Sequence, residues 1–126
     1  MKCRWFSGLW LVGAIAILLS GCSHDPNVRK QKYLESGERY LEKGKYPEAI
    51  IQFANAVQVD PRFAEAHYQL GRAYLKTQDW AHAYQELTRT LELEPEKFSA
   101  HFDIASLLIA GSDFSQAKEH VDWVLA

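Results

Sequence analysis

The chain is predicted to fold as an all-α solenoid of three helical hairpins, on three observations. Residue types recur at a fixed step of 34, in series such as Pro61 and Pro95, Tyr46, Trp80 and Phe114, and Ala49, Ala83 and Ala117. Leu34, Tyr68 and Phe102, with Leu41, Leu75 and Ile109, follow the same step. Within each segment the apolar residues fall at helical spacing, and no stretch alternates with the period of two that a half-buried strand requires. A unit of this length cannot bury its apolar face alone, so its copies must stack.

The N-terminal segment stands apart from the repeats. Lys2 and Arg4 precede an uncharged run from Trp5 to Leu19 that is apolar apart from Ser7. These 15 residues are short against the roughly 20 that span a bilayer. Small Ser20 and Gly21 then leave an uncrowded backbone before Cys22. The quartet Leu19-Ser20-Gly21-Cys22 resembles the lipobox of bacterial lipoproteins. The resemblance implies a signal peptide over 1–21, with Cys22 lipidated by a diacylglycerol thioether as the first mature residue. The alternative is a single transmembrane anchor that happens to contain a cysteine. Ser23 in place of an aspartate after the lipidated residue implies, by the lipoprotein sorting rule, the outer membrane facing the periplasm.

Cys3 leaves with the leader and Cys22 is consumed by lipid, so the folded part has no disulfide and no cysteine metal framework. Losing Lys2 and Arg4 takes the 14 basic residues to 12, against 16 acidic ones. A mildly acidic domain without a basic stripe argues against nucleic acid and against polybasic membrane contact, so no nucleic-acid partner is expected and lipid is the expected anchor. Residues 22–30 read as a short tether containing Pro26, and Ser23–Lys30 reaches about 28 Å when extended.

Residues 31–126 hold the helices. Gln31 to Lys43 shows two apolar faces, Leu34 and Leu41 on one and Tyr33, Gly37 and Tyr40 on the other, as in a sandwiched helix. Gly44-Lys45 forms the turn into Pro47–Val59, where Pro47 suits a helix start. Asp60-Pro61 ends that helix, because the proline drives the residue before it out of the α region. The plan repeats as Phe63–Lys76, a turn, and Ala81–Leu93 ended by Glu94-Pro95, then as Phe98–Ala110, a turn, and Phe114–Leu125. Asp79 and Asp113 are placed to cap the helices that follow them.

These residues resemble the tetratricopeptide repeat. The middle copy carries Tyr68, Leu70-Gly71, Tyr74, Ala83 and Pro95; the first carries Tyr33, Gly37, Tyr40, Ala49, Phe53, Ala56 and Pro61. The third departs from the pattern with Ala105 for glycine and Leu108 for tyrosine. Repeats of about 30–63, 64–97 and 98–126 follow. In this reading Gly37 and Gly71 allow close helix approach, Ala49, Ala83 and Ala117 do so from the other side, and Tyr46, Trp80 and Phe114 fill the wedges between hairpins.

The resemblance implies a concave groove on the first helices that holds a peptide or protein partner. Carried over by position, it is lined by Leu34, Glu38 and Leu41, by Tyr68, Gln69, Arg72 and Leu75, and by Phe102, Asp103, Ser106 and Ile109. The alternative is that these side chains pack on each other and on an extra helix. A carboxylate clamp of lysine, asparagine and arginine, known in some family members, is absent; Leu34, Glu38, Gln69, Ser99 and Asp103 stand in its place. His67 and His101 share one repeat position and read as half-buried packing residues, with no metal and no cofactor expected. No serine, base and acid combine for catalysis, so an enzyme is not expected.

The chain is therefore expected to be a membrane-anchored interaction scaffold in a bacterial envelope, similar to lipoproteins of pilus assembly, outer-membrane protein insertion and, best, exopolysaccharide export. The alternative is the first part of a longer repeat array with no independent function. Val121, Val124 and Leu125 leave the last hairpin without a polar cap, which adds an expectation of self-association there.

Overall fold

The computed structural model describes residues 25–126, so the leader, Cys22, Ser23 and His24 lie outside the described residues. Six helices follow in order: α1 (Pro26–Glu42), α2 (Tyr46–Val59), α3 (Ala64–Lys76), α4 (Trp80–Leu93), α5 (Phe98–Ala110) and α6 (Phe114–Leu125). No strand occurs among the described residues, and no helix among them is long and apolar enough to cross a membrane.

α1 begins five residues earlier than the periodicity predicts, which removes 26–30 from the predicted tether. The cause is polar rather than apolar: the Asp25 side chain accepts from the Asn27 N–H at 2.8 Å, and Pro26 occupies the first turn, where its missing N–H costs nothing. Asp79 and Asp113 cap α4 and α6 by accepting from the N–H groups of His82 and Gln116, at 3.3 and 3.1 Å. α2 and α4 end as the prolines require, with Asp60 at φ −140° and Glu94 at φ −132°, both outside the helical region.

The three hairpin turns share a device that the residue types hid. Gly44, Gln78 and Ser112 all adopt left-handed backbone, at φ 70°, 62° and 64°, and they are spaced by the repeat step. Only the first is glycine. In the third turn the adjacent Gly111 has an ordinary φ of −82°, and Ser112 carries the strain instead.

Each helix packs on its hairpin mate, and each second helix packs on the first helix of the next hairpin. Leu34, Ala49, Phe53, Ala56, Ala66, Leu70 and Ala73 form one buried cluster across α1–α3. Leu87, Ile104, Leu108 and Ala117 form another across α4–α6. The glycines act as predicted. A Cβ on Gly37 would lie 2.4 Å from Phe53 Cε1, and one on Gly71 would lie 2.9 Å from Leu87 Cγ. Ala49 and Ala83 are wholly buried and Ala117 nearly so.

The aromatic series departs from expectation. Trp80 and Phe114 are 53 and 65 % exposed, so they do not fill wedges between hairpins. They are the first residues of α4 and α6. Exposed apolar side chains concentrate on the third hairpin, at Phe98, Phe102, Ile109, Phe114, Val121, Trp123 and Leu125.

Candidate partner-binding groove

The first helices lie side by side. α1 touches α3 directly. α3 meets α5 where Tyr68 and Arg72 act on Asp103. The groove positions fall on this shared face with unequal exposure. Leu34 is buried in the α1–α3 cluster, a correction to its predicted place in the lining; the second apolar face of α1 is consumed by packing on α2 and α3. Leu41 is half-buried against that cluster, and Tyr68 and Leu75 against the α4–α6 cluster. Glu38, Gln69 and Arg72 are half-buried, and Ser106 is exposed with its hydroxyl donating to the Phe102 carbonyl at 2.9 Å. Phe102 and Ile109 remain 67 and 49 % exposed.

Tyr68 sits at the centre. The Lys97 ammonium lies 4.8 Å from its ring centroid and the Arg72 guanidinium 5.8 Å, both within cation–π range. Burial raises the Tyr68 hydroxyl above its ordinary value. Lys97 donates to Glu65 at 2.7 Å and lies 3.6 Å from Glu94. Burial opposes its charge, but these carboxylates prevail and its pKa is raised. Burial also pushes the Asp103 carboxyl up against the pull of Tyr68 and Arg72, and its Oδ2 is buried without a hydrogen-bond partner. Burial raises Glu38 too, reinforced by Glu65, Glu35 and Glu42.

The histidines are more than packing residues. His67 Nδ1 lies 2.6 Å from Glu86 Oε2 and its Nε2 lies 3.0 Å from the Pro61 carbonyl oxygen. Burial alone would lower its pKa, but with an acceptor at each nitrogen the net shift is upward. The next repeat rebuilds this clasp with a different partner. His101 Nε2 lies 2.9 Å from the Pro95 carbonyl, and its Nδ1 lies 2.9 Å from His120 Nδ1. Trp123 stacks on the His101 ring at 3.9 Å between centroids. Burial and the neighbouring His101 lower the His120 pKa, with Glu119 opposing. The shared step of histidine and proline was a sequence signal for these clasps; the partner residues were not. Among the described residues no group of three or more His, Cys, Asp or Glu is placed to hold a metal ion. A hollow along α4, lined by His67, Tyr84, Glu86 and Arg89 among others, shares none of the predicted groove residues.

Two family models match the chain: a TPR repeat model over residues 37–78 and a tetratricopeptide repeat model over 64–97. No curated protein matches it. Among solved structures it is similar to the second TPR of Spaghetti (RPAP3) bound to the HSP90 peptide SRMEEVD, at 22 % identity and a TM-score of 0.74 over 77 % of this chain and 90 % of that one. The Arabidopsis OM64 TPR domain matches at 13 % identity and a TM-score of 0.77, over 80 and 84 % of the two chains. MamA matches at 25 % identity and a TM-score of 0.74, over 80 and 58 %. Residues 37–97 are thus matched by tetratricopeptide-repeat models, and the described part of the chain shares the fold of solved TPR domains.

Proposed function

We propose that this domain is a protein-interaction scaffold, held at a bacterial envelope membrane by lipid on Cys22, and that the face of its first helices receives a segment of a protein partner. One observation carries the groove reading: Phe102 and Ile109 stay exposed on the face where Tyr68, Arg72 and Asp103 gather. Large apolar side chains left open beside half-buried polar groups mark interaction surfaces. Replacing Phe102 or Ile109 with Ala removes partner-facing surface without opening the core. Loss of partner capture with unchanged helicity is the expected result; a large loss of helicity refutes the reading.

Outer-membrane placement and a role in exopolysaccharide export belong to the same proposal; the first rests on the leader and Ser23, the second on the resemblance of the entry Asp25 to Tyr40. Cys22→Ser is expected to abolish labelling by a fatty-acid probe; a variant that still labels and still sediments with membranes refutes the lipid anchor. The exposed Val121, Trp123 and Leu125 of α6 support a second contact, with another copy of the chain. Sedimentation over a range of concentrations tests it, and a monomer throughout refutes it.

A further inference from the structure

We infer that His101 and His120 form an acid-operated latch, which holds α6 on α5 near neutral pH and releases it when both rings are protonated. The two rings meet nitrogen to nitrogen, with Nδ1 of His101 2.9 Å from Nδ1 of His120. A contact of that length is a hydrogen bond only if one nitrogen carries a proton and the other a lone pair. The second nitrogen of His101 is already committed. Its Nε2 lies 2.9 Å from the Pro95 carbonyl oxygen, which can only accept, so Nε2 carries the hydrogen. A neutral His101 therefore offers its Nδ1 lone pair to the His120 N–H, and a charged His101 offers its Nδ1–H to the lone pair of a neutral His120. Either way the closed latch holds one charge at most. The Trp123 indole, stacked on His101 at 3.9 Å between centroids, is compatible with that first charge as a cation–π partner. A second proton removes the last lone pair, sets two N–H groups against each other, and places two positive rings 5.1 Å apart.

The surrounding charges leave the second proton uncompensated. Among the described residues the histidines with a carboxylate in ion-pair distance are His67 and His82, and neither ring of the latch has one. On α4, Glu86 engages His67 and Arg89 engages Glu92. At the start of α5, Lys97 is held by Glu65 and Glu94, and Asp103 further along interacts with Tyr68 and Arg72. On α6, Lys118 is held by Asp122. Glu119, next to His120 in the chain, does favour its charge, but burial and His101 outweigh it and hold the His120 pKa below its ordinary value. The latch also matters more here than its counterpart does one repeat earlier. α6 buries Ala117 alone, where α4 buries Ala83, Leu87 and Thr90. In that earlier clasp Glu86 remains an acceptor when the His67 ring is charged, so acid tightens it. Acid thus loosens one hairpin while its neighbour stays shut, and the release of α6 frees the Trp123 ring and uncovers the side of α5 that bears His101.

The test is hydrogen exchange of the full chain followed by mass spectrometry, with EDTA present, at about pH 7.5 and about pH 5, on either side of the ordinary histidine value. Protection factors, corrected for the intrinsic rate at each pH, are compared between α6 and α2. In acid the protection of α6 is expected to fall about threefold to tenfold relative to α2. His120→Gln leaves His101 Nδ1 a neutral partner that can donate or accept, so the fall is expected to vanish. His67→Gln is expected to leave it in place. An α6 that keeps its protection relative to α2 at about pH 5 overturns the latch, and so does a fall of the same size in His120→Gln. Nitrogen-15 spectra of the histidine rings in the parent chain give a readout that needs no variant. One Nδ1 of the pair is expected to keep its lone pair at about pH 7.5 and neither at about pH 5; two fully protonated rings with α6 still protected overturn the latch as well.

Discussion

Gly37→Ala tests whether the contact between α1 and α2 is as close as the structure places it. In an exposed helix this change stabilises by about 1 kcal/mol, because alanine loses less backbone entropy on folding. Here the new Cβ meets three atoms of one ring, at 2.4, 2.6 and 2.9 Å from Phe53 Cε1, Cδ1 and Cζ. The Phe53 ring is fully buried within the cluster of Leu34, Ala49, Ala56, Ala66, Leu70 and Ala73, so it has no open space into which to retreat. Overpacking of this kind costs roughly 1–3 kcal/mol, and more where an aromatic ring must move as a body. The net expectation is a loss of about 1–2 kcal/mol, or a fall of roughly 5–15 °C in melting temperature for a domain of this size. Gly71→Ala is the internal comparison. Its Cβ meets Leu87 at 2.9 and 3.1 Å and the Ala83 carbonyl at 3.4 Å, and a branched aliphatic side chain yields by a rotamer adjustment. There the propensity gain and the strain are expected to cancel to within about 1 kcal/mol. The double variant Gly37→Ala with Phe53→Leu places at the first repeat the leucine found one step on, and it is expected to recover part of the loss through a favourable coupling of at least about 0.5 kcal/mol. Thermal and urea unfolding followed by circular dichroism measure all three. A Gly37→Ala protein that melts higher than the parent would refute the close approach.

Further predictions concern the turns, clasps and core. Ser112→Gly removes a left-handed serine and is expected to raise stability by about 0.5–1 kcal/mol, since the strain relieved exceeds the added unfolded-state entropy; an unchanged or lower melting temperature counts against it. The His67 pKa is raised, so its clasp stabilises fully below the unfolded value of about 6.5 and fades as pH rises through the folded value; the His120 pKa is lowered, so its clasp stabilises above about 6.5 and fades as pH falls. His120→Glu, which places a carboxylate where the second repeat has Glu86, is therefore expected to make the third hairpin more stable at about pH 5 relative to about pH 7.5, and identical pH profiles for variant and parent would refute this. Leu87→Ala opens a cavity at a fully buried position and is expected to cost about 2–5 kcal/mol in urea unfolding; a loss below about 1 kcal/mol would show that α4 does not pack as described. Asp79→Ala removes the α4 cap and is expected to lower the melting temperature followed by circular dichroism; an unchanged value would refute the cap.

Size complementarity links the first two repeats. Gly37 stands opposite Phe53 and Gly71 opposite Leu87. At the next step the chain has Ala105 and Val121. As the second-helix residue shrinks from phenylalanine to leucine to valine, the first-helix residue grows from glycine to alanine. The third repeat does not bury this position: Val121 is 38 % exposed, where Phe53 and Leu87 are fully buried. The exposure arises because α6 has a hairpin mate on one side and no further helix on the other among the described residues.

The number of helices, their order, the prolines that end two of them and the aspartates that cap α4 and α6 were all legible in the residues, because each is a local property. Helical period, proline sterics and side-chain capping act within a few residues, and the 34-residue step repeats them. The start of α1 was legible only as a cap, through Asp25 and Pro26, and apolar periodicity missed it. Exposure was different. Leu34 and Phe102 occupy one repeat position, yet the first is buried between α2 and α3 and the second stands open. Trp80 and Phe114 look like core aromatics by type and lie at the rim by position. Glu86 and His120 are equivalent residues that reverse the charge preference of two otherwise matching histidine clasps. Such differences depend on which helix lies alongside and which charge lies across from it, and those neighbours are far apart in the chain. The sequence alone determined a stack of helical hairpins. Only the tertiary structure decided which face of the stack stays open and which charges line it, because burial and electrostatic pairing are properties of neighbours brought together by packing.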